Sequence, residues 1–578
     1  MAKIEEKNTH TNTNNIDNNG IKDEVSQQRA ALPIQRTHQR FLLRQLQFTQ
    51  QYAAMYRCRL LSLQQRALSA LTAKMNAVNP PNGECMPALS PLLELQTGQR
   101  GLCVGVIYKQ MRLLPSFLRE YQKELVRIET GEEEEGGDKG DAADILSDLP
   151  PSADDPASLL GAGDAGVELV GEQNQHQEQN TLCRASDEVF IEDISGRVLL
   201  ENVPAELLCT GLVLSVDGTL HKNGCLKVHS YAMTDLREIY VPRRLHESLR
   251  LKPCYIAFVS GLEVGYPQTQ DPEVVRNRTM VELLVDYLCG NVGDESMTTQ
   301  ASQIARLVIA GNSIAATDEL KLKKKVKLDP SDHVRLGDDR RGTTGVVNSA
   351  MLMSELDNIM TRIADTIEVD LMPGDFDMSN AFQPQQPLHP LLLPEAARRS
   401  SLKLVTNPYE FSVFPSTSTV PKLTSTGKPS EGGTTFFVSS GSSLNDVCRE
   451  TKYPTRLDAM SMILRSGCAC PTAPNTLFSY PFKDSDPFLF PSAPHCFVCC
   501  DQPEMQTRWE SLESFGPNSD AIMDEEGYEN NNDNAGLRLI CIPSFARTGV
   551  LVLVDVNSPN LDTVTVNFSS SASNGTSQ

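Results

Sequence analysis

Three short apolar runs that end in glycine turns constrain the fold of this chain most strongly. They are "YIAFVSG" at 255–261, "RLVIAG" at 306–311 and "VDLMPG" at 369–374. Runs that are apolar at nearly every position are typical of strands buried on both faces of a sheet. The stretch "MLMSELDNIMTRIADT" just before the third run predicts a helix. One face of that helix carries Leu352, Leu356, Ile359 and Ile363. The sequence therefore predicts an α/β domain, which we place at residues 251–560.

A second group of short runs lies upstream of the α/β domain. These runs are rich in β-formers and are separated by Gly and Asn turns: "LCVGVIYKQ", "DEVFIEDISGRVLLENV", "TGLVLSVDGTL" and "GCLKVHSYAM". About five such strands predict a small β-barrel, within residues 94–250.

Residues 31–78 are predicted to be mainly helical. Apolar positions recur there at alternating steps of four and three, at Leu42, Leu46, Thr49, Ala53, Tyr56, Leu60 and Leu63. That spacing forms one stripe of a helix, and the stripe must be buried. It packs either on the next domain of this chain or in a coiled coil with a partner. The repeat stops after about three heptads, which favours the first alternative. Residues 1–30 are rich in Asn and Thr, the composition of a disordered tail.

The net charge of −22 is concentrated in two acidic segments. Residues 129–180 carry 15 Asp and Glu against one Lys, and residues 501–535 carry 10 against one Arg. Both segments are predicted to be loops inserted into the folded domains, as is the Ser/Thr/Pro-rich stretch 414–435, and residues 561–578 are predicted to be a disordered tail. The rest of the chain is near neutral. Because phosphate contacts need Lys and Arg, we expect DNA binding to be indirect or weak.

The glycine turns after the strands look like the metal site of a binuclear phosphoesterase whose ligands have been replaced. Such a hydrolase needs about half a dozen His, Asp and Asn ligands around two ions roughly 3.5–4 Å apart. The corresponding positions here are Ser260, Leu262, Asn312, Ala315, Asp375, Phe376, Asp377 and His495. Leu, Ala and Phe side chains cannot bind a metal. We therefore predict no metal, no cofactor and no catalytic residue. Asp375 and Asp377 are predicted to accept hydrogen bonds in a turn or at a helix N-terminus.

The cysteines indicate a reducing compartment. There are 15 of them, an odd number without regular spacing, which argues against a disulfide framework. A zinc site is one interpretation of Cys468, Cys470, Cys496, Cys499 and Cys500 near His495. A strand through 496–500 would send Cys496 and Cys499 to opposite faces, so buried free thiols are favoured. His389 is predicted to be structural, and "KLKKKVK" at 321–327 fits an import signal or a solvated loop.

Membrane and secretory functions are not expected. No apolar run reaches the ~20 residues of a membrane span, and the first residues lack the layout of a signal peptide. The sequence therefore predicts a soluble protein that stays inside the cell.

Longer blocks of the sequence resemble the small accessory subunits, or B subunits, of DNA polymerase delta. The blocks are "VDLMPGDFDMSNAFQPQQPLHPLLLP", "LKLVTNPYEF", "CPTAPNTLFSYPFKDSDPFLFPSAPHCFV", "GLVLSVDGTLHKNGCLKVHSYAMTDL" and "FTQQYAAMYRCRL". The resemblance implies an N-terminal helix and an OB-fold barrel, joined to a calcineurin-like phosphodiesterase domain that has lost catalysis. The three insertions depart from the family pattern, and no role is assigned to them.

The same resemblance implies a nuclear, non-catalytic scaffold in DNA replication. In that family the small subunit holds the cysteine-rich C-terminal domain of the polymerase catalytic subunit and a third subunit, and it also serves polymerase zeta. B subunits of polymerases alpha and epsilon share the architecture, but a single helical stripe before the barrel favours delta. The alternatives are a metal-dependent phosphodiesterase with unusual ligands and a single-strand DNA-binding protein.

Overall fold

The computed structural model describes residues 29–44, 46–49, 51–78, 89–113, 181–234, 252–265, 272–316, 342–415, 433–511 and 536–569. The predicted acidic insertion at 129–180, the basic run at 321–327 and nearly all of the predicted tail at 1–30 lie outside these residues. Within the described ranges, no helix is both long and apolar enough to cross a membrane.

The described chain forms seven α-helices and seventeen strands. The helices are α1 (Ala53–Val78), α2 (Pro272–Cys289), α3 (Glu295–Ser302), α4 (Gly342–Ala364), α5 (Ser442–Glu450), α6 (Arg456–Arg465) and α7 (Phe545–Thr548). The first strands are β1 (Ile34–Arg36), β2 (Arg100–Gln110), β3 (Glu188–Glu192), β4 (Arg197–Glu201), β5 (Val213–Leu220), β6 (Leu226–Ala232), β7 (Tyr255–Val259), β8 (Ile304–Ala310) and β9 (Glu368–Met372). The others are β10 (Leu402–Leu404), β11 (Tyr409–Val413), β12 (Thr434–Ser439), β13 (Cys496–Gln502), β14 (Gln506–Ser511), β15 (Gly536–Pro543), β16 (Val550–Asp555) and β17 (Thr563–Asn567).

Two six-stranded sheets form a sandwich. Their strand orders are β1-β11-β12-β13-β15-β14 and β10-β9-β8-β7-β16-β17. The central strands of each sheet are parallel. Antiparallel strands extend the first sheet at both edges and the second sheet at the β17 edge, whereas β10 at its other edge is parallel to β9. One core joins the two facing surfaces, where the rings of Phe258 and Phe436 lie 5.9 Å apart. The predicted α/β domain is therefore present, with strands buried on both faces.

Alternation along the buried strands divides their side chains between two cores. In β7, Ile256 and Phe258 enter the core between the sheets, whereas Ala257 and Val259 pack against the helices outside. The same outer core buries the predicted helix face of Leu352, Leu356, Ile359 and Ile363. The predicted helix is confirmed as part of α4.

The upstream strands close into a five-stranded barrel of order β2-β3-β4-β6-β5. Its interior is continuous with the core under α5 and α6, because Ile107 and Leu214 of the barrel belong to the same buried cluster as Leu444 and Met460. The barrel and the sandwich are therefore one packed body.

Helix α1 packs on the barrel. Leu60, Leu63 and Ala67 form a buried cluster with Val104 and Val213 of the barrel wall. The prediction that the N-terminal stripe is buried on the next domain of this chain is confirmed for Leu60 and Leu63, whereas Leu42, Leu46, Thr49 and Ala53 are exposed.

The prediction that residues 31–78 are mainly helical is wrong before Ala53, where α1 begins. Residues 34–36 form β1, and Leu42 and Leu46 are 39% and 60% exposed. The reason is tertiary: Ile34 pairs with Val413 and Arg36 pairs with Phe411, so β1 covers the otherwise open edge of β11. The pairing of β1 with a strand that is distant in the sequence leaves no signal in the periodicity of the neighbouring residues.

Two predicted boundaries of the sandwich are also wrong. Residues 501–511 belong to β13, β14 and the turn between them, and residues 563–567 form β17 on the edge of the second sheet. The charges on β14 suggested a loop, but Arg508 pairs with Glu510 at 2.5 Å and with Asp458 at 2.9 Å. Charged side chains are typical of exposed edge strands. In the stretch 414–435, Phe414 is buried and Thr434 begins β12.

One buried guanidinium links the three parts of the fold. Arg59 of α1 is fully buried, and its Nε donates to Asp486 Oδ2 at 2.9 Å. Its remaining nitrogens donate to the carbonyl oxygens of Gly211 in the barrel (3.2 Å) and of Pro471 (2.7 Å) and Ala473 (3.1 Å) in the sandwich. This charge is satisfied only when helix, barrel and sandwich are all in place.

Replacing Arg59 with Leu should lower the free energy of unfolding by about 3–5 kcal/mol, because Asp486 would remain buried without a counter-charge. Urea unfolding followed by circular dichroism measures the change. Arg57→Leu on the exposed side of the same helix is the matched control and should change stability little. The double variant Arg59→Leu/Asp486→Leu should recover part of the loss. Equal effects of Arg57→Leu and Arg59→Leu would contradict the role given to Arg59.

Candidate functional site

Three glycine turns meet at one edge of the second sheet. They follow β7, β8 and β9, which are neighbouring parallel strands, so their carboxyl ends lie together. The amide of Gly261 donates to the carbonyl of Gly311 at 2.9 Å, and the amide of Gly311 donates to the carbonyl of Met372 at 3.0 Å. A Cβ on Gly374 would lie 2.4 Å from the backbone nitrogen of Asn312. Glycine is therefore required for the close contact between the second and third turns.

Asp377 fastens these turns to one another. Its Oδ1 accepts from the amides of Ser313 (2.8 Å) and Ile314 (3.2 Å), and its Oδ2 accepts from the amide of Gly374 (2.8 Å). Burial raises the pKa of Asp377 to about 6, although the backbone N–H groups favour its charged form. The carboxylate is thus a structural acceptor between two turns.

Asp375 lies beside the start of α5. It is exposed, and its Oδ1 accepts from the hydroxyl of Ser442, the first residue of that helix, at 2.8 Å. A carboxylate there is favoured by the positive end of the helix dipole. Both carboxylates therefore have the acceptor roles that the sequence analysis favours.

The other predicted positions of the three turns are occupied by packing and backbone contacts. Leu262 is 1% exposed and belongs to the core beneath the helices. Ser260 donates its hydroxyl to the carbonyl of Ala310 at 2.8 Å, and Asn312 accepts from the amide of Phe376 at 3.2 Å. The amide of Ala315 donates to the carbonyl of Val264 at 3.0 Å. These groups make packing and backbone contacts, and they do not form a set of metal ligands.

Three residues that the sequence analysis missed complete the site. Asn407 donates through Nδ2 to Gln385 Oε1 at 2.7 Å and to Ser440 Oγ at 2.6 Å, and all three side chains are buried. The sequence does contain a signal for Ser440, because "FFVSSG" at 436–441 is a further apolar run that ends in a glycine turn. Asn407 and Gln385 lie in loops, where spacing carries no such signal.

His495 does not lie at this site. It directly precedes β13, at the end opposite to the turns, and it is level with Thr435, whose amide donates to His495 Nδ1 at 2.9 Å. Thr435 is five residues before Ser440 in β12 and the turn after it, so the separation along the strand is roughly 16 Å. The end of β13 that does reach the site carries Gln502, which donates to Asn445 Oδ1 at 3.2 Å. His495 has the residue type of a metal ligand, but the direction of β13 places it at the end of the strand that is far from the turns.

The five cysteines considered for a zinc site are buried free thiols. Cys496 faces the core between the sheets, and Cys499 faces the core beneath α5 and α6, as alternation predicts. The part of the chain that the structure describes contains no group of three or more His, Cys, Asp or Glu placed to hold a metal ion. The residues at the three turns therefore do not fit a binuclear metal centre.

His389 caps a short 3-10 helix, accepting through Nδ1 from the amide of Leu391 at 3.2 Å.

Comparisons with known proteins agree with the division into barrel and sandwich. A family model for the OB-fold domain of the DNA polymerase delta subunit matches residues 51–231. A second family model, for the B subunit of DNA polymerases alpha and epsilon, matches residues 256–507. The first match includes α1, in keeping with its packing on the barrel.

Full-length relatives show the same likeness. The DNA polymerase delta small subunit of Oryza sativa subsp. japonica is 27% identical over 484 residues, which cover 84% of this chain and 87% of that protein. The protein of the same name from Arabidopsis thaliana is 28% identical over 481 residues (83% and 84%). That of Saccharomyces cerevisiae is 25% identical over 557 residues (90% and 90%).

In its barrel and its sandwich the chain is similar to the class of DNA polymerase B subunits, which the two models match in tandem. Within that class, it is similar along most of its length to DNA polymerase delta small subunits. The resemblance found in the sequence and the predicted OB-fold barrel are thereby confirmed.

Replacing Asp377 with Ala should destabilise the protein by several kcal/mol, because three buried amides would lose their acceptor at roughly 1–3 kcal/mol each. Asp375→Ala, two residues away and exposed, is the matched control and should cost about 1 kcal/mol or less. Thermal unfolding of the two variants measures the difference. Similar melting temperatures for both would contradict the structural role of Asp377.

Proposed function

We propose that this chain is a non-catalytic scaffold of a DNA polymerase delta complex in the nucleus. The observation that supports this most strongly is the state of the three turns, whose glycines still pack backbone on backbone while Leu262, Ala315 and Phe376 fill the ligand positions. The sandwich is thus proposed to retain the fold of a hydrolase without the metal ligands. The sandwich is accordingly proposed to be a calcineurin-like phosphodiesterase domain that runs from residue 251 through β17, joined to an OB-fold barrel, residues 94–250.

The partners that we propose are the cysteine-rich C-terminal domain of the polymerase catalytic subunit and a third delta subunit, with polymerase zeta as a second assembly. A scaffold that holds two proteins needs its own two halves fixed against each other. The continuous core between barrel and sandwich, together with the buried contacts of Arg59, supports this requirement.

One exposed apolar surface is a candidate for a partner contact. We call it the aromatic ridge, and it consists of Leu46, Phe48, Tyr52, Phe382 and Phe478. Leu46, Phe48 and Phe478 are each about 60% exposed. The ring of Phe48 lies 5.6 Å from that of Phe382 and 5.5 Å from that of Tyr480, so the ridge is held by the loop at 478–482. Exposed aromatic side chains of this kind are enriched at protein interfaces.

The purified chain should not hydrolyse phosphoesters, because Leu262, Ala315 and Phe376 occupy ligand or catalytic positions. Nitrophenyl phosphodiesters and DNA ends, with manganese, magnesium or zinc added, are suitable substrates. Turnover that survives repurification and disappears in Asp375→Ala would show that the chain is a phosphodiesterase with unusual ligands.

The chain should copurify in equal amounts with a polymerase catalytic subunit through its cysteine-rich C-terminal domain. Coexpression with that isolated domain, followed by size-exclusion chromatography at micromolar concentration, tests this. Separate elution, with no polymerase subunit recovered from cells with the tagged chain, would contradict the scaffold assignment.

The aromatic ridge is tested in the same experiment. Leu46→Ser/Phe478→Ser should weaken the complex by roughly tenfold or more, since loss of an interface anchor costs on the order of 1–2 kcal/mol. Leu391→Ser is the matched control, because Leu391 is 80% exposed but is not part of the ridge. If the ridge variant binds as the unchanged protein does, the ridge is not the interface, and the scaffold assignment is unaffected.

A further inference from the structure

Two carboxylates are buried where the barrel meets the sandwich. Asp446 and Glu450 lie one turn apart on α5, and their exposed fractions are 6% and 0%. The amide of Thr210, in the barrel, donates to Glu450 Oε2 at 3.2 Å. The ammonium group of Lys109, on β2, donates to the main-chain carbonyl of Glu450 at 2.6 Å. Glu450 is therefore part of the joint between the two domains.

A single hydroxyl group lies between these carboxylates. Thr476 Oγ1 is 2.6 Å from Asp446 Oδ2 and 2.5 Å from Glu450 Oε1. A threonine hydroxyl has one proton, so it can donate to only one of the two oxygens. The other contact is a hydrogen bond only if that carboxyl group carries a proton of its own and donates it to Thr476. The geometry thus requires one more proton than two ionised carboxylates provide.

The surroundings do not supply enough positive charge to remove this requirement. Lys109 Nζ is engaged by the carbonyls of Glu450 and Leu208 and lies 3.8 Å from Asp187 Oδ2. Arg449 reaches Asp446 only at 3.6 Å. Burial raises the pKa of Glu450 to about 7, with Asp446 adding to the effect, and burial also raises the pKa of Asp446. The titratable groups that face the pair from other elements are Tyr56 of α1 and Lys109 and Cys209 of the barrel. Cys183 and Asp187 lie beside Lys109.

We propose that Asp446 and Glu450 share one proton through Thr476 at neutral pH, and that loss of this proton loosens the joint between barrel and sandwich. The joint is then a pH-sensitive element of the scaffold. Its existence does not depend on which partners the chain holds.

The sign of the pH dependence follows from the native proton. In the unfolded chain Glu450 releases its proton near its ordinary value, so between roughly pH 4.5 and 7 the native state holds a proton that the unfolded state has lost. Stability contributed by this proton is present at low pH and is lost as the pH rises through 7.

The test compares the full-length protein with Glu450→Gln. Gln is a neutral isostere that donates to Thr476 as the protonated acid does, so this variant should fold. The melting temperature of the unchanged protein should fall by roughly 1–2 °C between pH 6 and pH 8 in phosphate buffer. In Glu450→Gln this fall should be reduced or absent. The pH-difference infrared spectrum should show the carbonyl band of a protonated carboxyl group that Glu450→Gln lacks.

The matched control is Glu206→Gln. Glu206 crosses the same joint and pairs with Lys452 at 2.7 Å, but its side chain is 38% exposed. Its variant should keep the pH dependence of the unchanged protein. Asp446→Asn should shift the fall in melting temperature to lower pH, because it removes the neighbouring charge. An equal pH dependence in the unchanged protein and Glu450→Gln, with no difference in their infrared bands, would overturn the proposal.

Discussion

The buried charge of Arg59 is the constraint on which the rest of this structure depends. A guanidinium group taken out of water is strongly unfavourable unless a counter-charge and several acceptors surround it. Its acceptors here come from two domains, with Gly211 in the barrel and Asp486 and Pro471 in the sandwich. Helix α1 therefore has all of its buried acceptors only when both domains are folded and docked.

Backbone contacts and buried polar side chains hold the loops together at the edge of the sandwich that carries the three turns. The contact between Gly374 and Asn312 is a backbone contact, and it is independent of whether ligands are present. Asp377 satisfies the amides of the turns, and Asn407 and Ser440 hydrogen-bond to each other. These polar side chains hold the loops of the site in place. The result is a preorganised surface, which suits binding to other proteins.

Features that lie within a single helix or strand could be predicted from the sequence. Apolar runs ending in glycine located β7, β8 and β9, and four residues at helical spacing located α4. Alternation placed Cys496 and Cys499 on opposite faces of β13. Long blocks of residues identified the family. The candidate site was predicted in part, since Asp375, Asp377, Ser260 and Asn312 do lie at the three turns, whereas His495 lies at the other end of its strand.

By itself the sequence determined which segments become buried strands and helices, because periodicity and turn glycines act over a few residues. Only the tertiary structure decided how distant segments meet. The pairing of β1 with β11, the edge strands β14 and β17, and the bonds of Asn407 with Gln385 and Ser440 depend on contacts between residues far apart in the chain. The buried Arg59 and the pair Asp446 and Glu450 belong to the same group. A charged residue looks like surface in a sequence, and only its partners in space make its burial possible.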